Sequence, residues 1–117
     1  MTFSIMSYNR VENSVGIATC SAIPFIGKYS PYVFQGVVAV AAQGKIDPCT
    51  PNAINNLIKD GIESKKIFSI LKEKDPYFEL KQTSFINLKT NEKFSYTGKD
   101  LEHRKTKFFE SYGGSLI

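Results

Sequence analysis

Thr2 stands directly behind the initiator methionine. Aminopeptidases trim Met1 when the second residue is small, and the mature chain would then begin with a threonine. A threonine hydroxyl alone is a weak nucleophile. A freed α-amine, with a pKa of roughly 7.7–8, accepts the hydroxyl proton near neutral pH, so one residue would supply both nucleophile and base. A threonine that merely opens a strand carries the same letters, so Thr2 is a candidate and nothing more at this level. The other route to nucleophilic catalysis needs an imidazole. The only histidine, His103, sits between Glu102 and Arg104 in a charged stretch and reads as a solvated surface residue, so a Ser-His-acid triad is not expected.

Other chemistries lack their residues. Cys20 and Cys49 form neither a CxxC pair nor a zinc ligand set, and no metal site is expected. They are expected to be reduced and mostly buried. Gly36, Gly44 and the Gly113-Gly114 pair fit neither a Walker A loop nor a dinucleotide fingerprint, so no cofactor is expected. The net charge of +4 raises the question of a polyanion partner. Its densest basic group, Lys99, Arg104, Lys105 and Lys107, is interrupted by Glu102 and Glu110. No nucleic-acid-binding signature accompanies it, and it reads as a solvated segment. The start of the chain has no basic and apolar signal pattern, and the apolar run 36–42 is too short to span a bilayer. A cytoplasmic protein with no membrane segment is expected.

The elements that must position Thr2 follow from the pattern of the chain. Residues 2–8, TFSIMSY, read as a strand with Phe3 and Ile5 on one side and Thr2, Ser4, Met6 and Tyr8 on the other. Mixed polarity on both sides predicts a strand covered on both faces. A turn at Glu12-Asn13-Ser14 leads to a second strand over 15–21, completing an N-terminal hairpin. Its small residues, Gly16, Ala18, Thr19 and Ser21, predict close packing from above. AIPFIGKYSPY reads as a loop, and QGVVAVAAQ (35–43) as a buried third strand. Thr50 and Pro51 read as a helix N-cap and first helical residue, with Ile54, Leu57 and Ile58 on one face and Gly61 as the stop. Ser64 is expected to cap a second helix ending at Asp75-Pro76. The connection is short, so the helices should lie antiparallel on one sheet face. Residues 80–88 and 93–98 around Thr90-Asn91-Glu92 read as a second hairpin, and GGSLI as the start of one more strand. KDLEHRKTKFFES gives no clear pattern. The order of strands, helix pair and strands predicts one α+β domain over residues 1–117.

Several short segments occur in a familiar order: TFSI (2–5), GIAT followed by Ser21, the Gly36 to Gln43 run, Pro48, Asp60-Gly61, Asp75-Pro76, Glu79-Leu80-Lys81-Gln82 and Thr97-Gly98. This series resembles domain-of-unknown-function family 1028, a bacterial and archaeal group of N-terminal nucleophile (Ntn) hydrolase-like proteins. The resemblance runs from Thr2 to Ile117 and implies an αββα sandwich with Thr2 at the mature N-terminus. It implies pocket or oxyanion support from Ser21 and Gln43. It matches Gly114-Ser115-Leu116-Ile117 to a glycine-led strand well short of the family's usual end, so the chain looks like the N-terminal part of a longer, layered fold. Two departures stand out: Tyr8-Asn9 replaces an Arg-Asp pair, and the stretch after Gly98 lacks the family's cysteine and its Trp-Ala-Gly-His group.

Two functions follow as expectations. One is hydrolysis of a small amide or related acyl substrate by Thr2. The other is a non-catalytic member whose open sheet face is covered by a second copy or a partner subunit, since exposed apolar patches mark interfaces.

Overall fold

The computed structural model describes residues 2–101 and the backbone of residues 109–111 and 114–116. His103, Arg104, Lys105 and Lys107 lie outside the described residues, as does most of the stretch that the sequence left unassigned. Strands β1 (Thr2–Asn9), β2 (Ser14–Ser21), β3 (Pro31–Phe34) and β4 (Val38–Gly44) come first. Helices α1 (Cys49–Lys59) and α2 (Ser64–Lys74) follow, then β5 (Lys81–Asn87), β6 (Lys93–Thr97), β7 (Phe109–Ser111) and β8 (Gly114–Leu116). They build two antiparallel four-stranded sheets, in the orders β2-β1-β8-β7 and β3-β4-β5-β6. The α+β class expected from the element order is the one observed.

The alternation along β4 sets the layering. Successive strand side chains point to opposite faces. Val38 and Val40 join Phe85 of β5 in a core with Ile54 and Ile58 of α1, Ile67 and Leu71 of α2, and Phe78. Ala39 and Ala41 point the other way, and with Ile86 and Leu88 they meet Met6 of β1. The helices thus cover one face of the second sheet and the first sheet covers the other. Each large apolar side chain taken out of water here contributes about 1.5–3 kcal/mol. Alanine on the inter-sheet face leaves room for the two backbones to approach.

Several local expectations are corrected. The run 35–43 hides a turn: Val37 N–H bonds to the carbonyl of Phe34, Gly36 has φ +69°, and a strand, β3, precedes it, starting in the last two residues of the expected loop. Asp47 rather than Thr50 caps α1, its Oδ1 accepting from the N–H groups of Cys49 and Thr50. Pro51 therefore falls inside the first turn, where backbone N–H groups have no helical partner and its missing donor costs nothing. Ser64 is the first residue of α2 and makes no cap; its Oγ accepts from Asn87 Nδ2 and ties the helix to β5. Gly61, with φ +82°, does close α1, and Asp75 is extended before Pro76.

The first strand is not covered on both faces by the described residues. Ser4 and Met6 are buried toward the second sheet, while Phe3 and Ile5 point outward, 49% and 45% exposed. Gly16 and Ala18 of β2 are exposed too, so the close packing expected over them is not found among the described residues. Both cysteines are exposed, against expectation. Cys20 stands in line with Gly16 and Ala18, and Cys49 opens α1 at the surface.

Candidate functional site

The hairpin register brings the candidate residues together. β1 and β2 pair along their full length, with Thr2 opposite Ser21. The two hydroxyls lie 2.9 Å apart, Thr2 Oγ1 to Ser21 Oγ. Gln43, from β4 of the other sheet, donates through Nε2 to the carbonyl of Thr2 at 3.1 Å. Thr2 and Ser21 are half-buried at the rim, whereas Gln43 is buried beneath them. Three residues singled out from the sequence thus form one bonded group at the ends of two facing sheets.

Residues that the sequence did not single out complete the group. Ser4 Oγ donates to Gln43 Oε1 at 2.9 Å, and the Thr19 and Ser4 hydroxyls are 3.1 Å apart. Gln43 Nε2 also donates to Gln82 Oε1, and Gln82 Nε2 donates to Thr97 Oγ1 at 3.2 Å. Both N–H bonds of the Gln43 amide are therefore engaged, one on Thr2 and one on Gln82. As arranged, Gln43 holds Thr2 in place and has no donor left for an oxyanion. Ser4 and Gln82 are as buried as Gln43, so a polar layer continues the apolar inter-sheet core of Met6, Ala41 and Ile86. Ser84 Oγ, buried on the same face of β5, has no hydrogen-bond partner among the described residues.

A second polar cluster lies on the opposite face of β5. Lys81 is buried, and its three N–H donors reach Asp47, Asp75 (2.5 Å) and Thr50 Oγ1 (2.9 Å). Burial pushes the Lys81 ammonium down, but the bonds from Asp47 and Asp75 outweigh it and the net shift is upward. Burial likewise raises the Asp47 carboxyl, and the Lys81 bond together with the Thr50 and Cys49 N–H groups brings it below its usual value. The cluster ties the entry of α1 and the exit of α2 to β5. Next to it, Glu79 bonds to Lys72, Tyr96 and the N–H of Lys99. These three donors hold its carboxyl down at about 2.

Two hollows of about 450 and 410 Å³ open on the helical side. The first lies beside Gly61, Ser64 and Asn87, the second beside Cys49, Tyr77 and Lys81. Neither is lined by Thr2, Ser21 or Gln43. Among the described residues no group of three or more His, Cys, Asp or Glu side chains is placed to hold a metal ion, and no helix is long and apolar enough to cross a membrane.

Tyr8 and Asn9 stand at the far end of β1 from Thr2. Asn9 Oδ1 accepts from the N–H groups of Val11 and Glu12 in the hairpin turn, and the Tyr8 hydroxyl donates to the carbonyl of Leu88. The pair closes a turn and fastens the hairpin to the second sheet, remote from the Thr2 group.

The segments that carried the family resemblance are close in space: Asp75 meets Lys81, Gln82 meets Thr97, and Gly98 packs on Glu79. No curated protein is significantly similar to the chain. A protein from Silicibacter pomeroyi, whose crystal structure is described as one of DUF1028, superposes with a TM-score of 0.86 at 17% identity. The match covers 98% of this chain and 50% of that one, so the chain spans about half the length of the solved structure. The model of a family of unknown function, DUF1028, matches residues 2–113. The chain belongs to that family.

Proposed function

We propose that the protein is an Ntn-type hydrolase of amide or related acyl bonds, with Thr2 as nucleophile once Met1 is removed. One observation carries the reading: the Thr2 hydroxyl is paired with Ser21 while the Thr2 carbonyl is held by Gln43. A residue gripped at both its side chain and its backbone has lost the freedom that a bimolecular attack would otherwise have to remove. Thr2 Oγ1 attacks the substrate carbonyl and its proton passes to the α-amine of the same residue. The tetrahedral intermediate collapses, the leaving amine takes that proton, and an ester on Thr2 remains. Water, deprotonated by the same amine, then hydrolyses the ester. Ser21 carries the side-chain hydroxyl paired with the attacking oxygen, and Gln43 acts by holding Thr2. The test is turnover of small amide and ester substrates by the wild type and by Thr2→Ala, after intact-mass analysis has shown loss of Met1. Thr2→Ala should abolish turnover and leave the melting curve nearly unchanged; full activity in Thr2→Ala overturns the mechanism.

A second reading is favoured by one specific observation, the half-exposed Phe3 and Ile5 on the outward face of β1. With Ala18 and Cys20 exposed on the neighbouring strand, that face suits a covering layer from a second copy or a partner subunit. Sedimentation tests it: a monomer at high concentration argues against self-association.

A further inference from the structure

The hydrogen bonds of the inter-sheet layer have a direction. Ser4 has one hydroxyl proton and gives it to Gln43 Oε1, so Thr19 is the donor in the Thr19–Ser4 bond. Gln43 donates to Gln82, and Gln82 to Thr97. The chain therefore runs Thr19, Ser4, Gln43, Gln82, Thr97, each member donating onward, with one branch from Gln43 to the carbonyl of Thr2. Turning the Gln43 amide over would set its oxygen against two acceptors, the Thr2 carbonyl and Gln82 Oε1. Turning the Gln82 amide over would set its NH2 against that of Gln43. Buried facing groups of one kind are costly, so each amide locks the other. The lock is needed because Gln43 reaches Thr2 from a different sheet, and no backbone ladder fixes its end.

We propose that Gln82, anchored by Thr97 at the rim, is a positioning residue that fixes the direction of the Gln43 amide and through it the carbonyl of Thr2. The bonding claim concerns the fold alone. Its consequence for reactivity rests on the reading of Thr2 as nucleophile.

The experiment uses the full chain labelled with 15N and 13C, in wild type, Gln82→Met, Thr97→Val, Thr97→Ser and, as the reference for a released Thr2, Gln43→Met. Thr97 is exposed on β6, so its two variants fold even where Gln82→Met does not. Two quantities are read by NMR: hydrogen exchange of the Gln43 side-chain amide and the 13C shift of the Thr2 carbonyl. A third is the rate at which a β-lactone acylates Thr2. In Gln82→Met, exchange should accelerate at least tenfold, the carbonyl should move toward its position in Gln43→Met, and acylation should fall about tenfold. Thr97→Val should give the same changes at about threefold, and Thr97→Ser should match the wild type. Unchanged exchange and carbonyl shift in both loss variants overturn the proposal. Altered NMR signals with an unaltered acylation rate overturn the positioning role and leave only a structural bond. If the wild type is no more reactive than Thr2→Ala, the nucleophile reading fails, and the two NMR quantities still decide the role of Gln82.

Discussion

Gln43 and Thr2 lie 41 residues apart in the chain and in different sheets, yet the Gln43 amide donates to the Thr2 carbonyl at 3.1 Å. That bond, with the Thr2–Ser21 hydroxyl pair, makes the start of β1 a built position rather than a loose end. The hairpin alone would hold Thr2 only from the β2 side.

Replacing Gln43 by methionine keeps its volume and removes all three of its bonds. Ser4 Oγ, Gln82 Oε1 and the Thr2 carbonyl lose their partner together, two of them in residues that are almost fully buried. The expected loss of stability is about 2–4 kcal/mol, read from urea denaturation. A change below about 0.5 kcal/mol would mean that the layer is already hydrated.

Lys81→Met should leave Asp47 and Asp75 facing one another without a cation. Their side chains are 24% and 23% exposed, so the loss falls below that of a fully buried pair, at about 2–3 kcal/mol. The wild-type pH dependence follows from the directions of the shifts. The Asp47 contribution is present above its unfolded value of about 4 and is lost as the pH falls through its lowered folded value. The Lys81 contribution is present below its unfolded value of about 10.5 and is lost as the pH rises through its raised folded value. Both limbs should flatten in Lys81→Met when stability is measured against pH.

Glu79 gives a separate acid limb. Its carboxyl titrates at about 2 in the folded chain against 4.5 unfolded, so its contribution is complete above pH 4.5 and lost on descending to pH 2. Glu79→Gln should remove that slope between pH 4.5 and 2, as followed by circular dichroism melts. An identical acid limb in the variant would assign the slope to other carboxylates.

Gly98 lies against the backbone of Glu79. A Cβ there would stand 2.0 Å from the Glu79 carbonyl oxygen, and backbone on both sides leaves nothing flexible to move. Gly98→Ala should cost about 2–3 kcal/mol in a denaturant titration, whereas Gly16→Ala, where a Cβ meets nothing within 4 Å among the described residues, should cost little. Equal effects of the two would refute the packing account.

The N-terminal hairpin was legible because two strand-like runs flank a polar turn, whereas Ser21 and Gln43 were reached only through the family resemblance and their bonds to Thr2 came from the structure. The element order and the helix stop at Gly61 were legible for the same local reasons. Gln82 and Lys81 were not. Residues 80–88 read only as one strand of a hairpin, with nothing to say which faces are covered, yet every residue of β5 is buried, because the helices cover one face and the first sheet the other. Lysine and glutamine sit there only because Asp47, Asp75, Gln43 and Thr97 come from elsewhere in the chain to meet them. The Asp47 cap was missed because Thr50, which fits the cap pattern, bonds to Lys81 instead. Cys20 and Cys49 were expected inside on residue type alone, and their strand and helix positions turned them outward.

The most direct test of the central claim is peptide-mapped intact mass after treatment with a β-lactone. The account predicts a chain that begins at Thr2, one acyl adduct on its first peptide, and no adduct in Thr2→Ala. A native chain that retains Met1, or an adduct that persists in Thr2→Ala, would contradict it.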